Sequence, residues 1–400
     1  MTTRECVNFK ETIRLCPICK CSYGKLLTYI DFLKFSDDVL PDHYDVVSCA
    51  SCGFVYNDTI ATQSVFDLYY TSQAKYDGLN ISGAGQMSDL DNERYNKFIR
   101  ILAPFISTVD SEIADIGCGQ GGFLKMLKSR GFHRLFGLDP SAVCVKLVVK
   151  DGINAMEGNL LNFQPHQKFD VVVLTGVLEH IFDLRAAAVK LFSILMNSGL
   201  LLIEVPDASR YLGYDCAPFY RFDFEHINHF SIPHLRNLFG LYRFELVVQE
   251  TTDNKVSQNS LSPTIMALFR KSKHYFFEPE FSLEGFIGDY IHQSQLLEYN
   301  ETIEQLARSG RSLLVWGLGA HTARLLKQTR LNQCNIVAFI DNSPHKTGKS
   351  LLNKPVYSSQ RLPDFTPPAP LLLISSVLYA KEMQAFAIKI NYGGEVLCLT

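Results

Sequence analysis

Three stretches of this 400-residue chain hold residues whose types and spacing suit chemistry. The first is a pair of cysteine knuckles, Cys16-Pro-Ile-Cys19 and Cys49-Ala-Ser-Cys52. Each knuckle aims two thiolates at one point, and together they supply the four ligands of a closed tetrahedral zinc site. Four thiolates leave no open coordination position, so the expected role is structural. Zinc would add ~10 kcal/mol of folding energy to a segment too small for a core of its own. Cys21 stands close enough in sequence to compete with Cys19, which completes the C-x-x-C spacing and is the favoured ligand; Cys6 has no assigned role.

The second stretch is Asp115-Ile-Gly117-Cys118-Gly119-Gln-Gly-Gly122-Phe123. Residues 113–116 read as a short buried strand, the glycines as a tight turn, and Phe123, Leu124, Met126 and Leu127 as the apolar face of a helix. Strand, glycine turn and helix open a nucleotide-binding α/β sheet. By itself G-x-G-x-x-G fits nicotinamide, flavin and S-adenosylmethionine binders alike. Asp139 ends the next strand in Phe136-Gly-Leu-Asp139-Pro140. It is placed to accept both ribose hydroxyls of an adenosine cofactor, by charge-assisted bonds of about 1.5–3 kcal/mol each. Asn159, beyond the third strand, is placed at an adenine edge, and Cys118 is small enough to back the turn.

The third stretch is Phe222-Asp223-Phe-Glu225-His226-Ile-Asn-His229-Phe-Ser231. It follows a strand over 199–205 and a loop containing glycine and proline, where substrate loops sit in such a sheet. An imidazole beside a carboxylate is a candidate general base, worth about 10²–10⁴ in rate. His226 with Glu225 is the expected pair. His229 is expected to buttress the loop, and a metal on His226 and His229 would lack a third ligand. His180 closes Leu-Glu-His at the end of the strand over 169–174, beside the cofactor; it either touches substrate or serves as scaffold.

Around these stretches, helical spacing at Val65, Phe66, Leu68, Tyr69 and Tyr70, and again at Tyr95, Phe98, Ile99 and Leu102, predicts two connecting helices. Ile81-Ser-Gly-Ala-Gly85 breaks between them. Tyr69, Tyr70 and Tyr76 line a substrate entrance or pack between domains. The spacing over 282–308 predicts one long amphipathic helix. Ser312-Leu-Leu-Val-Trp316-Gly317-Leu-Gly319-Ala-His321 then starts a second strand, turn and helix. Strands at 336–341, 371–376 and 395–399 complete a second, small Rossmann-like sheet. Its turn has two glycines only, so a dinucleotide, a nucleotide sugar or no ligand are all compatible. His321 either meets a phosphate at the helix start or faces solvent.

Hydrophobic content of 47% supports packed cores, and a net charge of −3 with 20% charged residues argues against a nucleic-acid binder working through a strong positive field. No apolar run approaches the ~18 residues of a membrane span, and Met1 to Cys6 has no apolar signal core. Eleven cysteines with four in knuckles suit a reducing compartment. The expectation is a cytoplasmic protein acting on a small molecule, with no membrane span and an oligomeric state that the sequence leaves open.

The first-motif acid and glycines at 115–121, the acid in Leu-Asp139-Pro, Phe-Asp-Val-Val leading to Leu-Glu-His180, and Ser-Gly-Leu-Leu-Leu-Ile-Glu-Val-Pro206 occur in order. Together they resemble a class I S-adenosylmethionine-dependent methyltransferase. The resemblance implies that Asp115, Gly117, Cys118, Gly119, Asp139 and Asn159 form the cofactor site, with Asp115 toward the methionine amino group. The order of parts further resembles the zinc-ribbon sugar C-methyltransferases, which methylate the carbon beside a ketone of a nucleotide-diphosphate sugar. It implies an α/β fold with an N-terminal zinc ribbon over 1–62, a helical connector over 63–106 and a central seven-stranded Rossmann-like methyltransferase domain over 107–270. A helical linker over 271–310 and a small Rossmann-like domain over 311–400 follow. Glu225-His226 matches that family's Glu-His motif and His180 its strand-four histidine. Asp223 stands where the family has a tyrosine, and Gly319-Ala-His-Thr-Ala-Arg324 departs from its usual last-domain turn. O-methylation of a sugar or glycan hydroxyl and a non-catalytic binding scaffold are the alternatives.

Overall fold

The computed structural model describes residues 9–72, 85–214, 217–257, 260–297 and 299–399. They form an α/β protein with three sheets. The chain divides into two compact units: 1–27, 46–214 and 225–287 in the first, and 28–45, 215–224 and 288–400 in the second. Tyr76, Cys6 and most of the break at 81–85 lie outside the described residues.

The chain begins with β1 (Phe9–Glu11), β2 (Tyr23–Asp31), β3 (His43–Cys49) and β4 (Val55–Asp58), which are neighbours in that order in one sheet. Two helices follow, α1 (Gln63–Ser72) and α2 (Asp89–Leu102), the second capped by the Ser88 hydroxyl accepting from the Asp91 amide. Then come β5 (Ile113–Ile116), α3 (Gly122–Ser129), β6 (Leu135–Asp139), α4 (Ala142–Lys150) and β7 (Asn154–Glu157). After them lie β8 (Phe169–Thr175), α5 (Leu184–Ile194), β9 (Leu195–Pro206), β10 (Asn228–His229), α6 (Ile232–Gly240), β11 (Phe244–Ser257) and β12 (Ser260–Lys271).

The seven-stranded sheet runs β11-β12-β9-β8-β5-β6-β7. β5 to β9 pair in parallel, while β12 is antiparallel to both β9 and β11. Both faces are covered, which is why residues 171–174 of β8 are a continuous apolar run. Its Val171 and Val173 pack with Phe98, Phe123 and Leu127 of α2 and α3. Its Val172 and Leu174 pack on the other face with Leu184, Leu191 and Leu238 of α5 and α6. The antiparallel pair β11–β12 was not foreseen, because its polar–apolar alternation is weak in β11 and Pro263 interrupts β12.

The second unit holds most of α7 (Glu284–Leu296), then α8 (Asn300–Ser309), β13 (Leu313–Trp316), α9 (Ala320–Gln328), β14 (Ile336–Ile340) and β15 (Ser350–Leu351). β16 (Lys354–Tyr357), β17 (Leu371–Ile374), α10 (Ala380–Lys389) and β18 (Val396–Cys398) complete it. Its sheet runs β15-β16-β14-β13-β17-β18, parallel except for β15. The single helix expected over 282–308 is two helices. Leu296 and Leu297, read as part of one buried stripe, are exposed at 73% and 49%, whereas Ile287, Tyr290, Ile303 and Leu306 are buried. Two short stripes with different partners had the periodicity of one.

Candidate active site

β5 connects onward to β6 on one side, and β8 connects onward to β9 on the other. The crevice beyond their carboxyl ends is the switch point at which doubly wound sheets bind ligands. The glycine turn lies there. Gly117 donates its amide to the Leu138 carbonyl at 2.7 Å and adopts φ +74°, and a Cβ on it would stand 2.4 Å from Val177 Cγ2. Gly122 is excluded from carrying a side chain by a different neighbour: its Cβ would lie 2.2 Å from the Gln86 carbonyl oxygen. The segment just before α2 lies over the turn, with Gly122 N–H donating to Gly85 O at 2.8 Å and Tyr95 Oη to Gln86 O at 3.1 Å.

Asp139 holds the turn from the end of β6. Its Oδ2 accepts from Gly119 N–H at 2.7 Å and its Oδ1 from Ser141 N–H at 2.9 Å. Cys118 is buried, and a Cβ on Gly137 would stand 2.8 Å from its Sγ, so the thiol fills the floor of the turn. Asn159 is half-buried and its Oδ1 accepts from Asn162 N–H at 3.1 Å, closing the loop after β7.

Acids dominate the buried charge. Asp115, Asp139, Glu179 and Glu204 are buried, and Arg94 makes a forked ion pair with Glu204, Nε to Oε1 at 2.9 Å. Burial pulls the Arg94 guanidinium down, but the Glu204 carboxylate beside it outweighs this and holds it above its ordinary value. Burial pushes Asp115 up to about 7, with Arg94 pulling down and Asp139 pushing up. Among the described residues its Oδ1 has no hydrogen-bond partner. Glu179 is likewise pushed up to about 7 by burial, against the pull of His226, its own backbone amide and Arg94. A buried carboxylate oxygen without a donor is costly unless a ligand supplies one.

The histidine-bearing stretch is built by an unforeseen pairing. β10 joins the edge of the N-terminal sheet, antiparallel to β4, with Asn228 opposite Tyr56 and His229 opposite Val55. Arg14, buried and absent from the sequence-based site, reaches this strap: Nη1 donates to Ile227 O at 3.1 Å and Nη2 to Asn228 Oδ1 at 2.9 Å. The Asn228 amide donates to Ile181 O at 2.8 Å, and Ile227 N–H to Glu179 O at 3.0 Å. His229 is fully buried between Tyr211 Oη and Asn57 Oδ1, each at 3.2 Å. Burial drops its pKa to about 3, so it stays neutral and buttresses the strap.

His180 and His226 meet edge to face, ring centroids 4.8 Å apart. His180 sits on a single helical turn, Leu178–His180, directly after β8. Its Nδ1 lies 2.8 Å from Tyr70 Oη and 3.1 Å from Glu225 O. The Glu225 carboxylate accepts from Tyr69 Oη at 2.8 Å. The sequence reading missed Glu179, whose carboxylate also reaches the two histidines; only its place in Leu-Glu-His pointed to it. Asp223 belongs to the second unit, where its backbone carbonyl accepts from Tyr44 Oη at 2.8 Å.

The four knuckle cysteines converge, all Sγ atoms within 4.8 Å of one another. Cys16 and Cys52 are 3.6 Å apart, and Cys19 and Cys49 are 3.5 Å apart. The knuckles are built alike: Lys20 N–H donates to Cys16 O at 2.9 Å and Gly53 N–H to Cys49 O at 3.0 Å, and both donors have φ +65°. The Cys21 thiol instead turns to Tyr23 O.

Residues 90–249 match the family model described as a methyltransferase domain. A tRNA U34 carboxymethyltransferase of Helicobacter hepaticus is 32% identical over 118 residues, 26% of this chain and 37% of that protein. A trans-aconitate 2-methyltransferase of Rhodopseudomonas palustris is 30% identical over 132 residues, 30% of this chain and 52% of that protein. The chain thus spans between about a third and a half of the length of these relatives. The solved magnesium protoporphyrin IX methyltransferase of Synechocystis PCC 6803, with bound SAH, is 16% identical over 53% of this chain and 100% of its own, with a TM-score of 0.42. The Asp115–Gly122 turn lies within the residues that match the methyltransferase-domain model. Among the described residues no helix is long and apolar enough to cross a membrane.

Proposed function

We propose that this protein transfers a methyl group from S-adenosylmethionine to a carbon of a nucleotide-linked keto-sugar. The observation that carries methyl transfer is Asp115 Oδ1, a buried carboxylate oxygen without a donor beside the glycine turn. The sulfonium supplies an activated methyl, so the protein has to align the acceptor and move one proton. Asp115 would take the ammonium, Asp139 the ribose, the turn amides and Cys118 the adjoining surface, and Asn159 the adenine. His226, against His180, would remove the proton beside the acceptor's ketone, and the resulting enolate carbon would form the new bond as the carbon–sulfur bond breaks. Glu225 would hold Tyr69, and its carbonyl would orient His180 through Nδ1. In the O-methylation reading the same imidazole takes the proton of a hydroxyl.

The four cysteines suit a structural zinc. Tetrahedral ligands at ~2.3 Å from zinc stand ~3.8 Å apart, close to the 3.5 and 3.6 Å of the two sulfur pairs. The purified chain is expected to carry one tightly held zinc, and its removal to unfold the N-terminal sheet; a metal-free chain of unchanged thermal stability would refute this role.

The decisive experiment incubates the enzyme with labelled donor and a panel of keto-sugar nucleotides, with trans-aconitate and tRNA, the acceptors named for its relatives, as comparators. Label on a sugar carbon is the expected result, and label on oxygen selects the second reading. No transfer to any acceptor, together with no thermal stabilisation by S-adenosylhomocysteine, would favour a scaffold that does not turn over.

A further inference from the structure

We infer that Asn57 and Arg14, one beside each cysteine knuckle, are positioning residues for His226, so that the N-terminal sheet is a working part of the acceptor site. His226 takes its use from the methyl transfer proposed above, and its place from these two side chains.

Asn57 is fully buried on β4 and meets the strap at three points. Its Nδ2 donates to the His226 carbonyl at 3.2 Å, its backbone N–H to the Ile227 carbonyl at 3.0 Å, and its Oδ1 lies 3.2 Å from His229 Nε2. A carbonyl oxygen only accepts, so the side-chain amide serves His226 and His229 together in one orientation and not in the other. Arg14, also buried, holds the next residues along. Its Nη1 donates to Ile227 O at 3.1 Å, and its Nη2 to Asn228 Oδ1 at 2.9 Å and to Phe182 O at 2.6 Å. The guanidinium lies 4.5 Å from the centre of the Phe182 ring. The strap is thereby tied to the segment that follows His180. One amide and one guanidinium thus fix the backbone on which His226 faces His180. Misplacing such a group by 1 Å costs on the order of 10²-fold in rate.

Both side chains hang from the knuckles. Arg14 lies two residues before Cys16 and Asn57 five after Cys52, and the sulfurs of those two cysteines are 3.6 Å apart. Arg14 N–H donates to Asp58 Oδ1 at 2.7 Å, which sets it against β4. The second knuckle also grips the far end of the strap: His234 Nε2 is 3.0 Å from Cys52 O, and Phe54 packs on Phe230 with ring centroids 5.4 Å apart. Zinc on the four thiolates would hold Arg14 and Asn57 in one fixed relation.

The test reads amide hydrogen exchange beside steady-state kinetics, on the full chain with its zinc in place and with the acceptor that the wild type methylates. Asn57→Ala and Arg14→Lys should each speed exchange at residues 226–229 by about tenfold or more. Each should lower kcat by roughly 10²-fold. KM and S-adenosylhomocysteine affinity should stay within about twofold of the wild type. Glu11→Gln, on an exposed residue of the same sheet, should change none of these. Retained thermal stabilisation by S-adenosylhomocysteine shows that a variant is folded, and Arg14→Lys, which keeps the charge, carries the test if Asn57→Ala does not fold. Removal of the zinc should speed exchange at the same four residues. Unchanged exchange in the folded variants overturns the inference, and so does a loosened strap with undiminished kcat or a loss of kcat matched by an equal loss of donor affinity. A wild type that methylates no acceptor would count against the proposed methyl transfer instead, and exchange at 226–229 would still decide whether Asn57 and Arg14 hold the strap.

Discussion

The central sheet and the C-terminal sheet open with the same device in different electrostatic surroundings. In the first, Gly117 N–H donates to Leu138 O at 2.7 Å; in the second, Gly317 N–H donates to Ile340 O at 2.9 Å. Asp139 Oδ2 accepts from Gly119 N–H at 2.7 Å, and Asp341 Oδ2 accepts from Leu318 N–H at 2.8 Å. Each acid also takes the amide two residues beyond it, Ser141 and Ser343. The surroundings then diverge. The central turn lies beside Asp115, a buried acid with an unpartnered oxygen, whereas Val315 occupies the matching strand position in the small sheet. Asp341 is met by Lys346 at 3.4 Å, and the buried unpartnered group nearby is His321, with neither ring nitrogen hydrogen-bonded. The strand–turn–acid geometry is therefore shared, and the buried charge around it differs between the two sheets.

The sharpest way to break this contrast is to exchange its acids. Asp115→Asn should weaken S-adenosylhomocysteine by roughly 10- to 100-fold, the loss of one charge-assisted bond of about 1.5–3 kcal/mol. Asp341→Asn should leave that affinity unchanged. Equal losses, read by calorimetry, would assign the ligand to neither turn specifically.

A smaller effect separates the two glycines. Both have positive φ, +74° at Gly117 and +97° at Gly317, so alanine is strained by about 1–2 kcal/mol at either. At Gly117 the new methyl also meets Val177 Cγ2 at 2.4 Å, against 3.3 Å to Ser376 Cβ at Gly317. Overpacking of that kind adds about 1–3 kcal/mol. Urea denaturation should show Gly117→Ala the more damaging, and the reverse order would mean that Val177 yields freely.

Acid and base titration should tilt the two sheets in opposite directions. Asp115 keeps its proton to about 7 when folded, against ~3.9 unfolded. Between these values the unfolded chain has lost a proton that the folded chain keeps, so stability falls as pH rises. Donor affinity runs the other way, strengthening from pH 6 to 8 as the carboxylate ionises. His321 is held down to about 3 by burial, with Arg324 adding to the fall, against ~6.5 unfolded. Below pH 6.5 the unfolded chain takes a proton that the folded chain refuses, so stability is lost as pH falls. Asp115→Asn should flatten the first dependence and His321→Gln the second; an unchanged profile in either variant assigns the slope elsewhere.

The smallest expected effect is at the edge of the comparison. Lys346→Met removes a partly exposed ion pair, worth under ~1 kcal/mol, and should shift stability slightly without touching donor affinity. A marked gain of donor binding by the second unit in this variant would show that Lys346 alone distinguishes the two turns.

What the sequence determined by itself was local. β5, β8 and β13 are short, largely apolar runs followed directly by a glycine, and such runs need no distant partner to be read. The turn at Gly117 needs a positive φ that glycine supplies, and the knuckles at Cys16 and Cys49 are each complete within a few residues. The acids that end β6 and lie beside the turn, and the four converging cysteines, were legible for that reason. The tertiary structure decided which groups face one another. β10 joins β4 through a pairing of strands far apart in the chain, and Arg14 secures it across a separation of more than two hundred residues. That strap brings His226 against His180 and Glu179, a grouping that no spacing in the sequence announces. The stretch Asp115 to Phe123 was legible because its geometry is set within one strand, turn and helix. The acceptor side is assembled from three distant segments, and only their packing sets its chemistry.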